Sequence, residues 1–142
     1  MAQWTTLRSC DGYMLQSPVE GGRVEMTLRR DGHARVSTVP RQRRTPQVFE
    51  AQVAPWVLEG ITVGLTESGF PGLRTYVIPA GTRITLLSLA LPGCLVQAWV
   101  TPMHRNEAPA LHRAMTMLEA IAHSASHGML GQPAPFEFAV LV

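Results

Sequence analysis

With 142 residues, 46% of them hydrophobic and 15% charged, the chain is long enough to bury one core without disulfide staples and too apolar to be disordered. Its formal net charge of +2 is too small to mark it as a nucleic-acid binder by charge alone. All twelve basic residues are arginine, which a GC-rich coding sequence would explain without any functional demand.

The amino terminus, Met1-Ala-Gln-Trp-Thr-Thr-Leu-Arg8, lacks the basic stretch and apolar run of a secretory leader, so a cytoplasmic location is expected. Residues Gln3 to Arg8 and Tyr13 to Gln16 read as two short strands around an Asp11-Gly12 turn. After Gly21-Gly22, apolar Val24, Met26 and Leu28 alternate with Glu25, Thr27 and Arg29, the pattern of a strand wetted on one face. Asp31-Gly32 supplies a tight hairpin turn, because glycine accepts positive φ and aspartate tolerates it. The return strand runs through Ala34, Val36 and Thr38 to Pro40.

A basic connection from Pro40 to Pro46 precedes a further short strand in which Phe49, Ala51 and Val53 share one face. Pro55 suits the first turn of a helix, where its missing N–H costs nothing. That helix is expected to reach about Ser68, with Trp56, Val57, Gly60, Ile61, Gly64 and Leu65 as its inner stripe and the glycines allowing close approach to a sheet. Gly69 and Pro71 stop it.

No charged residue lies between Arg83 and Arg105, long enough to raise the question of a membrane span. Pro92-Gly93 at the centre of that stretch answers it: proline removes a helix hydrogen bond, whereas both residues suit a turn between strands. The two arms place Thr85, Leu87, Leu89 and Leu91 on one face and Ile84, Leu86, Ser88 and Ala90 on the other. Likewise Cys94, Val96, Ala98 and Val100 oppose Leu95, Gln97, Trp99 and Thr101. Both faces are largely apolar, so the hairpin is expected to be central and covered on both sides, by barrel-like or sandwich closure or by a second copy.

A second helix is expected from about Pro109, capped by Asn106, with Leu111, Met115, Leu118, Ile121, Ala122 and Ala125 inward and a stop at Gly128. Phe136 to Val142 reads as a last strand. The sum is one α+β domain over residues 1–142: an antiparallel β-sheet with two α-helices packed mainly on one face.

Chemistry-bearing motifs are scarce. Asp11 and Asp31 both precede glycine in turn contexts, and Cys10 and Cys94 read as reduced, inert thiols. His123 and His127 have i, i+4 spacing, but two imidazoles make an incomplete metal site and the glutamate of H-E-x-x-H is missing. No P-loop, Rossmann glycine pattern or nucleophile elbow is present. No cofactor, metal or catalytic residue is therefore expected. The clustered arginines Arg29, Arg30, Arg35, Arg41, Arg43 and Arg44 are the candidate binding residues, with an acidic protein surface the expected partner in preference to nucleic acid. Their alternative role is to guard a strand edge against aggregation.

The order strand, Asp-Gly hairpin, basic strand, Phe49-Glu-Ala-Gln-Val-Ala-Pro-Trp56, a helix closing on Glu67-Ser-Gly-Phe-Pro71, then hairpin and helix resembles small bacterial inhibitor and immunity-type domains of the emfourin-like kind. The resemblance implies a non-enzymatic protein that neutralises a protein partner. Two alternatives stand beside it: an assembly subunit that forms a homo-oligomer through the apolar sheet, and a small-ligand binder or enzyme whose site is assembled from distant residues.

Overall fold

The computed structural model describes residues 3–15, 23–39, 45–133, 135–136 and 138–142. Its elements in chain order are β1 (Thr6–Tyr13), β2 (Arg23–Arg29), β3 (His33–Val39), β4 (Val48–Gln52), α1 (Pro55–Ser68), β5 (Arg83–Leu91), β6 (Cys94–Val100), α2 (Pro102–Glu107) and α3 (Pro109–Ala125). The strands form one six-stranded sheet in the order β4-β3-β2-β1-β5-β6, every neighbouring pair antiparallel. The α+β fold with helices against the sheet is as the sequence predicts.

One face of the sheet builds the core. Leu7, Met26, Leu28, Ala34, Val36, Leu87 and Leu89 are buried there beneath α1 and α3, together with Val57, Ile61, Leu65, Leu111, Leu118 and Ile121 from the helices. Gly60 and Gly64 do permit a close approach, but of α1 to α3 rather than to the sheet. A Cβ on Gly64 would lie 2.6 Å from the Ala110 carbonyl oxygen, and one on Gly60 would meet the Met117 thioether. Trp56, expected on the inner stripe, is instead half-exposed and packs edge-on to Phe136 and Phe138 of the carboxy-terminal tail.

Three further expectations need correction. Asp11-Gly12 is not a turn: β1 runs straight through it, because Asp11 accepts hydrogen bonds from Arg83 Nη2 and Thr85 Oγ1, both at 2.8 Å, across the β1–β5 pairing. Asn106 caps nothing. The chain first forms the short α2, capped by Thr101, whose Oγ1 accepts the His104 amide, and α3 begins at Pro109 with no side-chain cap. The tail makes no full strand; its sheet contact is a single bridge between Leu141 and Val53, flanked by hydrogen bonds from Ala54 N to Val140 O and from Val142 N to Gln52 O.

Asp31-Gly32 forms the β2–β3 turn as expected, with Gly32 at φ 94° and Asp31 Oδ1 accepting the His33 amide. At the same end of the sheet, Trp4 is buried and donates through Nε1 to Thr62 Oγ1 of α1, 3.0 Å away. Arg30 stacks over the Trp4 ring and donates to the same hydroxyl, tying the turn to the helix.

Candidate protein-interaction face

Strand alternation sends half of each strand's side chains away from the helices, and among the described residues no second layer covers them. The expectation of barrel-like or sandwich closure within the chain is not met by those residues. This outer face divides into two zones. On β5 and β6 it is apolar: Leu86, Ala90, Leu95 and Trp99, with Leu95 62% and Trp99 50% exposed, while Ile84 at the start of β5 is buried. On β1, β2 and β3 it is polar and mostly basic, with Arg8, Arg23, Arg29 and Arg35 set against Glu25, while Glu50 on β4 lies opposite Arg35.

Where the zones meet, a shallow depression of about 300 Å³ is lined by Arg8, Cys10, Arg23, Glu25, Leu86 and Leu95. Arg23 pairs with Glu25 at 3.1 Å, and the Cys10 thiol contacts the same carboxylate at 3.6 Å. Burial pushes the Cys10 thiol above its usual range, with Glu25 adding to the effect and Arg23 opposing it; such a thiol is a poor nucleophile. Arg8 has no ion-pair partner among the described residues and reaches solvent beside Leu86 and Leu95.

Of the six predicted arginines, the three among the described residues do not share one face. Arg29, paired with Asp31, and Arg35 lie on the outer face; Arg30 is held on the helix side by Trp4 and Thr62. Arg41, Arg43 and Arg44 lie outside the described residues. Arg8 is far from the cluster in the chain, and only the pairing of β1 with β2 sets it opposite Thr27, next to Arg29; Arg23 lies on β2 itself, at the other end of the strand from Arg29. The Leu95 and Trp99 alternation was visible, but two apolar faces were read as two covered faces.

Other polar groups carry less. The Asp11, Arg83 and Thr85 cluster borders a void of about 30 Å³, the size of one water molecule and too small for a substrate. His127 sits at φ 55° beyond the end of α3, so it does not share a helix face with His123. Among the described residues no group of three or more His, Cys, Asp or Glu is placed to hold a metal ion, and no helix is long and apolar enough to cross a membrane. Cys94, expected inside the apolar hairpin, is exposed at its tip, and both thiols are free. The sequence matches no protein-family model and no curated protein.

Proposed function

We propose that the chain is a non-enzymatic, bacterial, cytoplasmic protein-binding module whose outer sheet face engages a protein partner, in the manner of an inhibitor or immunity protein. The observation that carries this reading is the pairing of an exposed apolar stripe, Leu86, Leu95 and Trp99, with arginines along its border. A large aromatic and an aliphatic side chain supply desolvation energy at the centre of an interface, and guanidinium groups at its border select a carboxylate-bearing surface. The partner is therefore a protein with an apolar patch rimmed by acidic residues. The resemblance to emfourin-like inhibitors points to the same class of activity.

The test is capture of partners from cell lysate by the wild-type chain and by three variants that keep the wild-type circular dichroism. Leu86→Asp and Arg8→Glu are expected to lose the same stoichiometric protein that the wild type and the helix-face control Arg113→Glu retain, and high salt is expected to weaken its retention. An identical captured set for all four chains would reject the outer face as the binding surface.

A further inference from the structure

The free edge of β6 has a property that the face alone does not explain. Met14 N donates to Thr82 O at 2.8 Å, which fixes the alternation of hydrogen-bonded pairs between β1 and β5. The even residues of β5 bond to β1, so its odd residues bond to β6. Through the register Leu91↔Cys94, Leu89↔Val96, Leu87↔Ala98 and Thr85↔Val100, the even residues of β6 are consumed. Leu95, Gln97 and Trp99 are left with their backbone N–H and C=O groups directed away from the sheet, and their side chains lie on the outer face.

Three features of this edge bear on what can pair with it. It is seven residues long, free of proline and bulge, and no charged residue occurs between Arg83 at the start of β5 and Arg105 beyond the end of β6. Natural edges are usually blunted by charge, proline or cover, and among the described residues this one is not. Its pattern is also symmetric about Gln97. An antiparallel copy centred there sets Gln97 against Gln97 and Leu95 against Trp99 twice, with each facing pair able to exchange both backbone bonds. The two-fold axis brings no like charges together. The Gln97 Oε1 already accepts Ser88 Oγ at 3.2 Å, which leaves its amide N–H groups to donate across the seam.

We infer that a second copy of this chain pairs with the β6 edge, giving a two-fold dimer with a continuous sheet and one doubled apolar stripe across the seam. The opposite edge argues for closure at two copies. The outward-facing residues of β4 include Glu50, and the Gln52 carbonyl there is taken by Val142, so β6 of one copy does not find a matching edge on β4 of another. A two-fold axis normal to the sheet sets the helices of both copies on the same side, and α3 packs toward β3 and β4, away from the seam. The pairing stands independently of the partner proposed above, although it would double that partner's docking surface.

The test uses the purified full chain without any partner, so its result is separable from the capture experiment. Sedimentation velocity from low-micromolar to submillimolar concentration is expected to show a monomer–dimer equilibrium. Gln97→Pro removes an outward N–H that β5 does not use and is expected to weaken the dimer by about tenfold or more. A wild-type chain that stays monomeric throughout overturns the inference, as does a Gln97→Pro chain that dimerises like wild type. A second pair of variants decides the matter if the proline disturbs folding. Leu95→Lys and Trp99→Glu are each expected to be monomeric alone, while their equimolar mixture recovers a one-to-one dimer through the facing Lys and Glu. A mixture that remains monomeric overturns the proposed register.

Discussion

At one edge of the sheet, β4 is five residues long, presents Glu50 between Val48 and Gln52, and has the Gln52 carbonyl occupied by the Val142 amide. At the other, β6 is seven residues long and presents Leu95, Gln97 and Trp99 with no charge and no bonded cover among the described residues. Three outward-facing residues stand at each edge, and the difference between them is a carboxylate on β4 against an aromatic ring on β6. Edge protection is thus a local property of this sheet, present at β4 and lacking among the described residues at β6.

The largest effect should come from testing whether β6 is bare because its end of the sheet is loosely packed. Leu89 lies directly opposite Val96 and is fully buried, so Leu89→Ala is expected to cost about 2–5 kcal/mol in urea denaturation. A loss under about 1 kcal/mol would mean that this end is soft and its bare edge incidental. Next, the cover on β4 can be lifted. Val140 is buried in the tail beside the start of α1, and Val140→Asp is expected to cost about 2 kcal/mol and to open the Ala54 amide, which donates to the Val140 carbonyl, to hydrogen exchange. Unchanged exchange at Ala54 would show that the tail is no guard.

A smaller change concerns how β6 ends. Thr101 leaves the strand and caps α2 at once, so Thr101→Ala should cost about 1 kcal/mol by the same denaturation assay. Smallest is the effect of pH at the β2–β3 turn. Asp31 is held below the ordinary aspartate range, first by the His33 amide and then by Arg29. A depressed carboxylate pKa stabilises the fold above the unfolded-state value, and that contribution is lost as pH falls through the folded value. NMR titration should therefore find Asp31 ionising at lower pH than a free aspartate, with turn amides weakening only below that point; an ordinary titration would remove the carboxylate from the turn's support.

Much of this arrangement was legible in the chain. Alternation alone placed Val24, Met26 and Leu28 on one face and sorted both arms of the Pro92-Gly93 hairpin, and Pro55 with Gly69 bounded α1 at both ends. Misreadings arose where a partner is remote in sequence. Nothing near Asp11-Gly12 announces Arg83 and Thr85, and without them the dipeptide looks like a turn. Strand order was equally hidden: β1 lies between β2 and β5, so Arg8 joins Arg23 and Leu86 at one depression although each belongs to a different stretch of chain. Of the arginines that lie close together in sequence, Arg29 and Arg30 fall on different faces because they are consecutive, and Arg30 is claimed by Trp4 and Thr62.

The position of β1 also sets the order in which the molecule can assemble. Its partners Leu28 and Leu89 lie on opposite sides of the chain's midpoint, and the Thr6↔Ala90 pairing closes a loop spanning most of the sequence. The β2–β3–β4 meander needs only short loops, whereas β1–β5 pairing must wait for the longest and entropically costliest closure of any strand pair in the sheet. The central strand therefore precedes the other strands in the chain and is among the last of them to be locked. Pulse-labelling hydrogen exchange during refolding should register protection in β2 and β3 before β1, with the slow phase belonging to the strand that joins the two halves.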